Sequence, residues 1–114
     1  MNLKKETIKE LSDNGKDISD IVWVGCQNAK IPIDLFWQLA DKEYDSGYGA
    51  AEVATDLVVV GNGWWLERGE YDGSEWWEFK TAPTEPTKTI NVNSIMGGMW
   101  DSLLSLNNRE EELE

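Results

Sequence analysis

The stretch Leu57-Val58-Val59-Val60-Gly61-Asn62-Gly63-Trp64-Trp65-Leu66-Glu67-Arg68-Gly69-Glu70-Tyr71-Asp72-Gly73-Ser74-Glu75-Trp76-Trp77-Glu78-Phe79-Lys80 decides how this chain folds. It holds two strong two-residue turn signals, Asn62-Gly63 and Asp72-Gly73. Glycine enters positive φ without a Cβ clash, and Asn or Asp tolerates it better than most residues. Between and around these turns the residues are mostly β-branched or aromatic, the composition of a pleated, half-buried surface. Two turns predict three strands, over 57–61, 64–71 and 74–80, joined as an antiparallel meander.

Two-residue loops at both turns set Val59 opposite Leu66, Leu66 opposite Phe79 and Arg68 opposite Trp77. One face then carries Leu57, Val59, Trp64, Leu66, Trp77 and Phe79 and is expected to meet a helix. The other carries Val58, Val60, Trp65, Glu67, Trp76 and Glu78, where large aromatics mix with carboxylates that a core does not need. This register also sets Glu67 opposite Glu78 and Glu70 opposite Glu75, and like charges directly across a sheet are unfavourable. A three-residue loop with a glycine bulge at Tyr71-Asp72-Gly73 relieves them by slipping the register one residue, so that Glu67 faces Trp77 and Trp65 faces Phe79. Both registers stay open at this level.

Outward from the meander, Leu3, Thr7, Ile8 and Leu11 stand at helical spacing, and Asp13-Asn14-Gly15 supplies the stop. Ile21-Val22-Trp23-Val24 reads as a buried strand. Pro32 suits a first helical turn, and Ile33, Phe36, Trp37 and Ala40 form a core-facing stripe that predicts a helix running to about Tyr44. Residues 50–55 have room for one more helical turn. Past Thr81 the prolines and threonines of residues 83–92 read as a linker. Asn93-Ser94 then caps an expected helix bearing Ile95, Met96, Met99, Trp100, Leu103 and Leu104, weakened by Gly97-Gly98, before an acidic tail. The expected class is α+β. A three- to four-stranded antiparallel sheet packs on one or two helices in residues 1–82, and residues 93–114 add a C-terminal helix.

The 114 residues suit one ordinary domain. Twenty-two Asp and Glu against 10 Lys and Arg give a net charge of −12, a field that repels nucleic acid and anionic membranes. The single cysteine, Cys26, has no internal disulfide partner, and the first residues lack the apolar stretch of a secretory signal, so a cytoplasmic setting is expected. No apolar run is long enough to span a membrane.

The absence of histidine removes the commonest general base and most transition-metal sites, so no enzymatic activity, cofactor or metal is expected. Glu67 and Glu78 beside tryptophans have the composition of a glycosidase acid pair, but a solvated sheet face explains them more simply. Asp13-Asn14-Gly15-Lys16-Asp17 lacks the full calcium-loop pattern and reads as a turn. Cys26 reads as structural or incidental. Stacking aromatics that bind nucleic acid usually sit beside basic residues. Here they sit beside Glu67, Glu70, Asp72, Glu75 and Glu78, a sign suited to competing with nucleic acid for a Lys- and Arg-lined channel. The expected contact set is therefore Trp65, Glu67, Glu70, Asp72, Glu75, Trp76 and Glu78. The expected partner is a host nuclease or another basic nucleic-acid-binding protein, with no direct nucleic-acid or membrane contact. Residues 95–106 offer a possible homodimer helix.

The run from Trp64 to Lys80, with Val58-Val59-Val60-Gly61 ahead of it and the loop Tyr44-Asp45-Ser46-Gly47-Tyr48-Gly49, resembles a core found in small acidic uncharacterised proteins of phages and mobile elements of Gram-positive bacteria. The resemblance covers about residues 17–82, and the C-terminal third departs from it. By analogy it implies an anti-defence role. Small acidic phage proteins include anti-CRISPR proteins that block the nucleic-acid channel of a type II RNA-guided nuclease. On that analogy the inhibitor is non-enzymatic and acts as an acidic DNA mimic. The alternatives are a carbohydrate-binding module, with Trp65 and Trp76 stacking on sugar rings, and a structural or dimerising phage protein.

Overall fold

The computed structural model describes residues 1–47, 49–97 and 99–107. The chain divides into two compact units, Met1–Pro83 and Thr84–Glu114.

The first unit is α+β. Helix α1 (Leu3–Asp13) starts at Asn2, whose side chain accepts from the Lys5 N–H at 3.0 Å and so satisfies one of the free donors of the first turn. Strands β1 (Ile21–Gly25) and β2 (Lys30–Ile31) form a short hairpin. Helix α2 (Ile33–Ala40) follows, with Pro32 at its N-cap, and the chain then enters β3 (Val58–Gly61), β4 (Trp64–Tyr71) and β5 (Ser74–Thr81). The five strands make one antiparallel sheet in the order β2-β1-β3-β4-β5. The class and the meander are as the sequence predicts. The two-residue strand β2 is too short to carry a pattern of its own.

The two-residue loop at Asp72-Gly73 is the one adopted. Tyr71 pairs with Ser74, Arg68 with Trp77, Glu67 with Glu78 and Leu66 with Phe79. Asp72 (φ 51°) and Gly73 (φ 86°) both lie in the left-handed region, the type I′ geometry whose twist matches the flanking strands. At the other hairpin only Gly63 does so (φ 83°).

The core is built from Leu11 of α1, Ile21 and Val24 of β1, Phe36 and Ala40 of α2, and Val59, Trp64, Leu66 and Trp77 of the meander. Leu57 and Phe79 pack against it partly buried, so one sheet face holds the fold as expected. Trp64 stacks on Phe79 with centroids 5.8 Å apart. Thr7 is the polar member: its hydroxyl donates to the Leu3 carbonyl (2.7 Å) and accepts from the Trp77 indole N–H (2.8 Å), so neither polar group is buried unpaired.

Four local expectations are corrected. Helix α2 stops at Ala40 rather than near Tyr44, because residues 42–44 run beside the N-terminus: the Leu3 N–H donates to the Lys42 carbonyl and the Tyr44 N–H to the Met1 carbonyl. Residues 50–55 contain no helical turn. Strand β1 is not buried throughout, since a bulge between Ile21 and Trp23 leaves Val22 exposed. In the second unit the expected long helix is confined to α3 (Leu103–Leu106), capped by Ser102 rather than by Asn93-Ser94. Gly97 (φ 111°) and Trp100 (φ 68°) hold backbone conformations that no α-helix admits, and Ile95, Met96, Met99 and Trp100 are exposed. Among the described residues there is therefore no helix of the length needed for pairing through residues 95–106, and Gly98 and residues 108–114 lie outside the described residues. Asn107 ties the second unit together instead, accepting from the Asn93 and Ser94 N–H groups and donating to the Ser94 and Leu103 carbonyls. Among the described residues no helix is long and apolar enough to cross a membrane.

Candidate functional site: the outer face of the sheet

Strand register places side chains on the sheet face opposite the core. Paired residues share a face, and Trp23 pairs with Val60, Val60 with Trp65, and Trp65 with Lys80, giving one row across four strands. The adjoining row is Gly25, Val58, Glu67 and Glu78, followed by Gly69 opposite Trp76. This face thus holds Trp65, Glu67, Trp76 and Glu78 of the expected contact set and adds Trp23, Val58, Val60 and Lys80.

The two carboxylates that this register sets opposite each other are each held by an indole group. Trp65 Nε1 donates to Glu67 Oε1 at 2.7 Å, and Trp76 Nε1 donates to Glu78 Oε2 at 3.1 Å. Each tryptophan stands two residues before its glutamate on the same strand, so the two share a face and the N–H reaches along it. Lys80 lies 3.8 Å from the other oxygen of Glu78. The result is two copies of one device: an indole whose edge fixes a carboxylate and whose ring lies beside it. Trp76 also covers Gly69, where an added Cβ would meet the indole Nε1 at 2.5 Å and Cε2 at 2.8 Å. The absent side chain makes room for the ring.

The remaining three acids fall elsewhere. Glu70 and Asp72 are exposed near the hairpin tip, off the outer face. Glu75 is buried, with 1% of its side chain accessible, which removes it from any contact surface. It pairs with Arg68 Nη2 at 2.9 Å and accepts from the Glu52 and Val53 N–H groups at 2.7 and 3.2 Å, pinning the loop ahead of β3. Paired and hydrogen-bonded, it no longer repels Glu70. Sequence pattern put it in the contact set as an acid beside aromatics and did not show the third group that pairs with it in the interior.

Arg68 is that third group, with 3% of its side chain accessible. It also donates to the Tyr44 hydroxyl at 3.1 Å, lies 3.5 Å from Glu6 and sits 4.7 Å from the Trp77 ring centroid. The Tyr44 hydroxyl in turn donates to Glu6. Burial, reinforced by that bond, pushes the Tyr44 phenol up to about 12 against the opposing pull of Arg68. Arg68 Nε is buried without a hydrogen-bond partner among the described residues. The cluster ties α1, β4, β5 and the 44–53 loop together. Removing one member of such a cluster costs about 3–5 kcal/mol because the others keep their burial penalty.

Cys26 is a partly exposed free thiol in the β1–β2 loop. Among the described residues there is no group of three or more potential ligands of the His, Cys, Asp or Glu type. Comparison with protein-family models, with curated proteins and with solved structures finds no match for this chain.

Proposed function

We propose that this protein is a non-enzymatic binding module that seats a basic protein on the outer face of its sheet. Its target is a nucleic-acid-handling defence protein in the cytoplasm of a bacterial host, most specifically a type II RNA-guided nuclease. One observation carries the reading: the matched pairs Trp65–Glu67 and Trp76–Glu78. A guanidinium group is recognised by an aromatic face together with a carboxylate, through cation–π attraction and a charge-assisted hydrogen bond. Each pair offers both, with the carboxylate already held by its own indole N–H. Register puts the two tryptophans on neighbouring strands, about 14 Å apart along the strand direction, a separation that two arginines of a nucleic-acid channel can span. The resemblance to small acidic phage proteins and the net charge of −12 support the same class of partner.

The test is DNA cleavage by a panel of RNA-guided nucleases in the presence of the purified chain. Inhibition of at least one is expected, weakened about 30-fold or more by Trp65→Ala or Trp76→Ala, the scale of an interface anchor, and weakened also by Glu67→Gln with Glu78→Gln. Undiminished cleavage at large excess across the panel, or inhibition indifferent to both tryptophans, would sink the proposal.

A second reading follows from Trp76 lying over the Gly69 backbone, an aromatic platform of the kind that stacks on sugar rings. Glycan-array binding lost in Trp76→Ala, with no nuclease inhibition, would favour it instead.

A further inference from the structure

Strand β5 ends the sheet, and the open side of its backbone is unusually well specified. The hairpin at Asp72-Gly73 makes Tyr71–Ser74 a hydrogen-bonded pair, so even-numbered residues of β5 bond to β4 and odd-numbered ones aim their N–H and C=O groups away from it. Glu75 shows this directly, since its N–H donates to the Ser46 carbonyl at 2.9 Å on the outer side. The Gly47–Ser74 bridge closes the same end. Among the described residues no strand lies beyond β5 at Trp77, Phe79 and Thr81.

An open edge of this kind invites another strand unless charge forbids it. We infer that the occupant is a second copy of this chain, paired β5 to β5 in antiparallel fashion about a two-fold axis at Phe79. The charges single out this register. Centred on Phe79, the outer-face neighbours are Glu78 against Lys80 of the second copy and Lys80 against its Glu78, two attractive pairs created by one symmetry operation. Centring on Glu78 sets Glu78 against itself and requires Glu75, already bonded to Ser46, to pair again. Centring on Lys80 sets Lys80 against itself and brings Trp77 opposite Pro83, which has no N–H. In the Phe79 register the pairs Trp77–Thr81, Phe79–Phe79 and Thr81–Trp77 each exchange two backbone hydrogen bonds, and pairing stops where Ser46 and Pro83 stop it. Phe79, only partly buried in one copy, meets its twin on the core side. The two sheets become one, and both outer faces lie side by side.

Sedimentation velocity on the full chain over a concentration series tests this. A dimer is expected, weakened about tenfold or more by Lys80→Glu, which turns both attractive pairs into repulsive ones. Glu78→Lys weakens it similarly, and the combined E78K/K80E chain recovers the dimer because the swap restores both pairs. Both side chains are partly exposed, so circular dichroism should report an unchanged fold in all variants. A monomer at every concentration would overturn the inference. So would a dimer indifferent to the single changes, or a combined variant weaker than either single one.

Discussion

Tyr44 shows how one side chain converts burial into a dependence on pH. Its phenol is raised from an ordinary value of 10.0 to about 12, first by burial and then by its bond to Glu6. In the unfolded chain the phenol loses its proton as pH passes 10, while the folded protein holds it until about 12. Between those values the native state binds more protons, so its stability is full below pH 10 and falls as pH rises through about 12. Chemical denaturation at pH 9 and pH 11 is expected to show this loss in the native sequence and a smaller one in Tyr44→Phe. Equal losses would mean that other tyrosines or the lysines govern the alkaline limit. None of this is legible from the residue's neighbours in sequence. Tyr44, Glu6 and Arg68 meet only because residues 42–44 lie beside the N-terminus, and that packing is set by atoms far apart along the chain. The same distance hid Glu75: its burial depends on a loop more than 20 residues upstream.

At the scale of elements, the meander was readable because its signals are local. Turn residues fix the hairpins, and alternation fixes the faces once the loop at Asp72-Gly73 is known to hold two residues, a choice the sequence left open and the structure makes. What alternation leaves open is how a large ring finds room, and here two glycines answer differently. Gly61 and Gly69 each lie under an indole, of Trp64 and Trp76 respectively. A Cβ at Gly61 would stand 2.0 Å from Trp64 Cε2, and Trp64, 4% exposed, is walled in by the core. Gly61→Ala is therefore expected to destabilise the protein by about 2–3 kcal/mol or more through overpacking. A Cβ at Gly69 meets the outer-face Trp76, which is 37% exposed and free to swing aside. Gly69→Ala should leave thermal stability nearly unchanged while displacing Trp76 and separating it from Glu78, a change visible in tryptophan fluorescence and in partner binding. Comparable stability losses in the two variants would show that Trp76 is held as firmly as Trp64. Trp23 completes the outer face but was not placed there by pattern. Its position depends on the β1–β3 pairing across an intervening helix and on a bulge that shifts the alternation.

For the whole molecule, the question is whether the second unit takes part in holding the first. Every residue of the core lies within Met1–Pro83, and the last backbone contact of that unit, the Ala82 N–H to the Gly63 carbonyl at 2.9 Å, is made before the boundary. The sheet has all five strands by Thr81. Residues 84–114 carry six acids against Lys88 and Arg109, so they account for a minority of the net charge of −12 and leave the first unit strongly acidic by itself. Their exposed Ile95, Met96, Met99 and Trp100 contribute nothing to the core cluster. A chain ending at Pro83 is therefore expected to fold with a melting temperature within a few degrees of the full protein. Relief of like-charge repulsion is small beside the buried core. Partner binding through Trp65 and Trp76 should survive with it, because all of the outer-face residues are retained. A drop of more than about 10 °C would correspond to roughly 2 kcal/mol for a domain of this size, and would place part of the fold's stability in the second unit. A folded truncated chain that has lost binding would instead transfer the contact surface to the exposed apolar residues at 95–100.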